Sequence, residues 1–187
     1  MSIVLTTKRL TLKWFELVDE VDIIHYYLSE AEHLRHSGGP IKNQPSQVSS
    51  MLESWRKNTS AGTEVRLILL AQNEVIGTIG VSNIVRGAFQ AAYLGYNIAE
   101  RYQGQRLMTE ALQTTVDYAF KDLHLHRLMA NYQPQNVASG RVLEKLGFVI
   151  EGHAKNYLMV DGQWCDHTLT ALPNPHRHSP PTNNELV

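Results

Sequence analysis

The chain has 187 residues and a hydrophobic share of 43%, enough for one core, and that length suits a single domain of roughly 150 residues with a short tail. Lys plus Arg number 17 and Asp plus Glu 18, so the net charge of −1 excludes a strongly basic nucleic-acid binder. Cys165 is the single cysteine, which excludes an intrachain disulfide framework; no apolar run approaches the roughly 18 residues of a membrane span, and no secretory signal pattern opens the chain, so a cytoplasmic protein is expected.

Residues 6–14 alternate Leu10 and Leu12 with Arg9, Thr11 and Lys13, which predicts a half-buried strand. Over 17–28, Val18, Val21, Ile24 and Leu28 recur at helical spacing. Pro40 and Pro45 bound a break, and a second helix is expected over 46–57 with Ser46 as its cap. Strands over 65–71, 75–84 and 90–99 follow, with Gln72-Asn73 as a hairpin turn. Helical spacing returns over 107–120, then a strand over 127–132 and a helix over 138–146 closed by Gly147. Strands are expected over 148–150, 157–160 and 164–172, with Asp161-Gly162 as a turn. This order predicts an α/β (α+β) fold in which helices flank a mixed, mainly antiparallel sheet.

Two segments carry chemistry. Over 93–112 a strand runs into a polar loop, which opens a helix. A helix start offers free backbone N–H groups and a positive dipole end to an anion. Gln103, Gly104, Gln105 and Arg106 can supply such donors, and the same spacing also suits a plain turn. Over 131–148, Asn136 suits a helix cap, Ser139 lies in the first turn, and Leu143, Leu146 and Phe148 read as core.

Together these segments resemble the GNAT N-acetyltransferases. The family's acetyl-CoA signature, Gln/Arg-x-x-Gly-x-Gly/Ala after a strand, is matched here on QGQRLM at 103–108. Its downstream Asn-x-x-Ser…Leu-Gly-Phe is matched on Asn136, Ser139, Leu146, Gly147 and Phe148. A likeness across nearly all of 4–172, carried by RLTL, NIVRGAFQAAYLGYNI, HRLMANYQPQN and AKNYLMVDGQWCDHTLTAL, is similar to the branch that acetylates the N-terminal alanine of the fifth small-subunit ribosomal protein. The shift to Pro, Asn, His and Ser over 173–187 predicts a flexible tail, and the resemblance implies a GNAT domain over 1–172 with splayed central strands that bind acetyl-CoA as co-substrate. It implies cofactor contacts from Tyr96, Ile98, Gln103, Gly104, Gln105, Arg106, Leu107, Met108 and Asn136, and catalytic roles for Ser139, Asn136 and Tyr157. In that alignment Arg106 and Met108 stand where the signature has glycine and a small residue. Leu143 stands where many members carry a tyrosine general acid.

Thioester aminolysis needs a neutral amine, donors for the carbonyl oxygen and a proton for the leaving thiolate. An α-amino group, which ordinarily titrates at about 7.7–8.0, makes little demand on a base; a lysine near about 10.4 makes more. Ser139 is the candidate thiolate donor in place of the missing tyrosine, and a plain first-turn serine is the alternative. The base stays open. Glu110 suits the helix dipole, while Tyr157, Asp166 and His167 suit either a substrate wall or ordinary strand positions. His124 and His126 lack ligand partners at metal spacing, and Cys165 has no activating neighbour. The expected partner is a ribosomal protein N-terminus, with association to the ribosome or its precursor, and neither direct nucleic-acid contact nor a membrane. Acetylation of another amine and a non-catalytic role in ribosome assembly remain open alternatives.

Overall fold

A computed structural model describes residues 3–36 and 42–176. Its elements are β1 (Val4–Thr6), β2 (Thr11–Trp14), α1 (Glu20–Ser29), α2 (Pro45–Ser60), β3 (Glu64–Ala71), β4 (Glu74–Val85), β5 (Ala91–Ile98), α3 (Leu107–Lys121), β6 (Arg127–Tyr132), α4 (Val137–Lys145), β7 (Val149–Val160) and β8 (Gln163–Pro173). The strands form one eight-stranded sheet in the order β1-β2-β3-β4-β5-β6-β8-β7. Only the β5–β6 pair is parallel, because α3 crosses between them; hairpins and longer returns make the rest antiparallel.

Several elements depart from the sequence expectation. The strand expected over 6–14 folds back on itself. Thr7 donates its amide to the Leu10 carbonyl (2.9 Å) and accepts the Leu10 amide on Oγ1 (2.9 Å), which turns the chain between β1 and β2. Residues Phe15–Leu17 form a separate 3-10 turn, so α1 starts later, capped by Asp19, whose carboxylate accepts the Val21 amide at 2.9 Å. Its buried face is therefore Ile23, Tyr26 and Tyr27, while Val21 is 68% exposed. Helix α2 begins with Pro45 rather than after it. Proline suits that first position, and Gln47 Oε1 accepts the Gln44 amide at 3.1 Å. The two short strands expected over 148–160 are one strand, β7, continued through register shifts at Ile150/Gly152 and Ala154/Leu158.

Packing also runs beyond the boundary expected at 172. Asn174 is buried, donating its amide to the His126 carbonyl (2.7 Å) and Nδ2 to the Leu125 carbonyl (3.1 Å). Residues 177–187 of the expected tail lie outside the described residues.

Other local readings match. Gln72 and Asn73 have φ of 50° and 67°, the paired positive angles of a type I′ hairpin. Gly147 closes α4 at φ +87°. Helix α3 buries Leu107, Met108, Ala111, Leu112, Thr115, Val116 and Ala119, a stripe at spacings of three and four.

Adjacent strand residues point to opposite faces of a sheet. On β5, Tyr96 meets Ser139 of α4 and Asn97 meets Tyr26 of α1. Helices α1 and α4 therefore cover opposite faces.

Candidate active site

The site begins where two parallel strands part. The β5–β6 ladder pairs Ala91, Ala92 and Tyr93 with Arg127, Leu128 and Met129, and stops there. Beyond it β5 stays bonded to β4 as far as Ile98, while β6 stays bonded to β8 as far as Tyr132. The strands diverge and leave the β6-facing backbone edge of β5 open as a wedge.

On the α4 face of the wedge, the Tyr96 hydroxyl lies 2.7 Å from Ser139 Oγ. Burial pushes the Tyr96 phenol up to about 12, against the opposing effect of the Ser139 hydrogen bond. Tyr96 is thus a neutral donor throughout the physiological range. Asn136 caps α4, its Oδ1 accepting the Ser139 amide at 3.0 Å. The cap uses the backbone N–H of Ser139 and leaves its hydroxyl to Tyr96. Leu143 lies one turn further along α4 and is 1% exposed in the core. A hydroxyl reaches this region from strand β5 and not from that helical position.

The α1 face carries a row of neutral polar groups. Tyr26 donates to Asn97 Oδ1 at 2.7 Å, and burial raises the Tyr26 phenol. Asn131 Nδ2 donates to the Tyr157 hydroxyl at 3.2 Å, and the Tyr93 hydroxyl lies 3.5 Å from the same oxygen. The Tyr93 contact, then burial, raises the Tyr157 phenol, so it stays protonated near neutral pH. The buried His167 ring lies 5.7 Å from the Tyr157 ring. Its Nδ1 is 3.0 Å from the Cys165 carbonyl, which can only accept, so Nδ1 carries the proton. Asp166 is committed to the β7 backbone, accepting the Asn156 amide at 2.8 Å.

Ile98 leads into the loop. Its carbonyl lies 3.2 Å from His33 Nε2, which is itself 3.0 Å from Gln103 Nε2. After a 3-10 turn at Glu100–Tyr102, Gly104 takes φ +71° and Arg106 takes φ +61° immediately before α3. Among the described residues, the N–H groups of Gly104 through Thr109 have no protein acceptor; the first bond of the helix is the Glu110 amide to the Arg106 carbonyl, at 3.1 Å. A run of free donors on a left-handed kink at a helix start is built for an anion. The Leu107 and Met108 side chains are buried at 6% and 7%, so these residues can serve a ligand only through their backbone. The Arg106 side chain is exposed and has no partner among the described residues.

This geometry corrects the register of the signature. Its glycine is the positive-φ Gly104, so the pattern starts at Arg101 as Arg101-x-x-Gly104-x-Arg106. One departure then remains, Arg106 in place of the final small residue, and Met108 is ordinary helix core. The pattern's own Gln/Arg choice at its first position was the available signal. Sequence reasoning also missed Arg9 and Thr7. They hold the Glu110 carboxylate, with Thr7 Oγ1 donating at 2.5 Å and Arg9 Nε at 2.8 Å. Glu110 is therefore an anchor on the outside of the loop.

The family described as "Acetyltransferase (GNAT) domain" matches residues 9–149. The chain is 40% identical over 178 residues to the [Ribosomal protein uS5]-alanine N-acetyltransferase of Escherichia coli, covering 91% of both chains. Among solved structures it is similar to the ribosomal-protein-S5-alanine acetyltransferase of Vibrio fischeri, at TM-score 0.84 and 32% identity over 93% of this chain and 98% of that one. It is also similar to Mycobacterium smegmatis RimJ in complex with CoA-disulfide, at TM-score 0.81 and 27% identity over 96% of this chain and 90% of that one.

Proposed function

Since the chain belongs to the GNAT acetyltransferases, we propose that it moves the acetyl group of acetyl-CoA to the N-terminal alanine of ribosomal protein uS5. The observation that carries the substrate is the near full-length likeness to a uS5-alanine N-acetyltransferase. Acetyl-CoA supplies the thioester, and the remaining work falls to this chain's residues. The free N–H groups from Gly104 to Thr109 receive the pyrophosphate, with the Gln103, Gln105 and Arg106 backbone shaping the cradle. The open edge of β5, with Tyr96 and Ile98, receives the pantetheine amides, and Asn136 holds α4 beside it.

Tyr26, Asn97, Tyr93, Asn131 and Tyr157 form the amine wall. These five side chains are neutral, which suits an α-amine that is already partly neutral near pH 7. Tyr157 orients the amine as a neutral phenol. Ser139 donates toward the leaving sulfur, backed by Tyr96. The transfer is direct, from thioester carbon to amine nitrogen, with one proton passing in net from nitrogen to sulfur. The catalytic domain spans the sheet and its four helices, and the protein works in the cytoplasm, where ribosomal proteins are made.

The test offers acetyl-CoA with three amines: a peptide bearing the uS5 N-terminal alanine, the same peptide blocked at its N-terminus, and spermidine. Mass spectrometry should find acetylation of the free α-amine alone. Preferential acetylation of spermidine, or of the blocked peptide's lysines, would overturn the substrate assignment.

Arg106→Gly should move stability and affinity in opposite directions. A left-handed φ costs a residue with a Cβ about 1 kcal/mol, so glycine is expected to raise Tm by roughly 2–4 °C. Removing an unpaired cation beside the phosphate cradle should weaken CoA binding about tenfold, and less so at high salt. Melting curves and calorimetric titration with CoA read the two effects; tighter binding by the glycine variant would remove Arg106 from the site.

A further inference from the structure

We infer that Arg9 is a positioning residue that sets the peptide plane at the centre of the anion-binding loop, an inference that rests on the reading of that loop as the pyrophosphate cradle. Arg9 lies in the turn between β1 and β2, at the far edge of the sheet from α4. Its Nη1 nevertheless donates to the Gln105 carbonyl at 3.0 Å, a contact between residues 96 positions apart. One further contact fixes the guanidinium and a second fixes the backbone that carries it. Nε donates to Glu110 Oε2 at 2.8 Å, and the Arg9 amide donates to Glu110 Oε1 at 2.9 Å. Thr7 Oγ1 donates to that same Oε1 at 2.5 Å. The Arg9 side chain thus bridges the loop and the first turn of α3.

The consequence follows from the planarity of the peptide bond. In a trans peptide the C=O and the following N–H point in opposite directions. Pinning the Gln105 oxygen toward Arg9 therefore aims the Arg106 N–H away from the guanidinium. Without that pin, the plane between Gln105 and the strained αL residue Arg106 can rotate and present a carbonyl oxygen to the incoming anion. The ion pair has a second effect. A free carboxylate in the first turn of α3 would oppose a phosphate, and Arg9 cancels it. Burial pushes the Glu110 carboxyl up, but the bonds from Thr7 and Arg9 and the Arg9 charge outweigh that and hold it ionised and paired. Lysine cannot replace this arrangement, since a single ammonium does not present the two separated N–H vectors that reach Gln105 and Glu110 together.

The experiment compares wild type, Arg9→Gln and Arg9→Lys, using CoA titration, steady-state kinetics and two acetyl donors, acetyl-CoA and acetyl-pantetheine. Both variants should raise the CoA Kd and the acetyl-CoA KM about tenfold, leave kcat at saturation within about twofold, and leave the KM for acetyl-pantetheine unchanged, because that donor has no pyrophosphate. Arg9→Lys should lose nearly as much as Arg9→Gln. Equal loss with both donors, or a fall in kcat that matches the fall in kcat/KM, would make Arg9 a plain structural residue and overturn the inference; so would unchanged CoA affinity. Should Arg9→Gln fail to fold, Arg9→Lys carries the same comparison. A wild-type protein that uses both donors with equal KM overturns the cradle reading itself, an outcome distinct from failure of the Arg9 role.

Discussion

Replacing Ser139 with alanine should lower kcat about 100-fold while leaving the CoA Kd within about twofold. The separation is possible because Ser139 performs two tasks with different atoms. Its backbone N–H satisfies the Asn136 cap, and alanine keeps that bond; its Oγ is engaged with the Tyr96 hydroxyl at 2.7 Å, and alanine removes that donor. The helix is thus preserved while the leaving sulfur loses its partner. Tyr96→Phe should cost less, because Ser139 remains. The double variant should fall no further than Ser139→Ala alone, since Tyr96 acts through the serine. The pH profile provides a second reading of the same chemistry. The Tyr96 phenol sits near about 12, so the pair does not titrate between pH 6 and 9. Over that range the wild-type rate should rise as the α-amine of the substrate loses its proton, with a midpoint near about 7.7–8.0, and then level off. A loss in Kd as large as the loss in kcat would make Ser139 a binding residue.

Gly77→Ala should destabilise the fold by about 3 kcal/mol and lower Tm by roughly 6–12 °C. Gly77 opposes Ile98 in the β4–β5 ladder. A Cβ there would lie 2.5 Å from the Asn97 carbonyl oxygen and 3.2 Å from Ile98 Cα. Both neighbours are backbone, so neither can swing aside as a side chain would. The two strands have to separate, at the very stretch where β5 has already left β6 and where Asn97 meets Tyr26. The acetyl-CoA KM should rise with the loss of stability, because the displaced edge is the one that faces the pantetheine. A variant that melts within about 1 °C of wild type would show that β4 and β5 yield freely at this point.

Much of the architecture was legible from local pattern. The β6 boundaries, the start of α3 and the Gln72-Asn73 hairpin are written in alternation, helical spacing and turn chemistry within a few residues. The misreadings share a different cause. Thr6–Trp14 alternates like one strand, but a side chain at Thr7 accepts the Leu10 amide and doubles the chain back. Val21 has the right spacing for a buried face, yet α1 starts only at Glu20, buries Ile23, Tyr26 and Tyr27, and leaves Val21 exposed. The glycine signature can be started on Gln103 or on Arg101, and the left-handed backbone at Gly104 places its glycine in the Arg101 register. In each case a contact or a dihedral decides between alternatives that side-chain periodicity scores alike.

The amino-acid sequence alone determined the family, the order of the elements and the position of the polar loop before α3, because those depend on residue types at short spacing. The tertiary structure decided what the site is made of. The wedge is an absence of pairing between β5 and β6 beyond Tyr93, and backbone edges carry no side-chain signature. The Tyr96–Ser139 bond joins residues 43 positions apart, and the Arg9–Gln105 bond joins residues 96 positions apart. Their partnership follows from register across the sheet, which sums many weak packing preferences into one geometry that no local window contains.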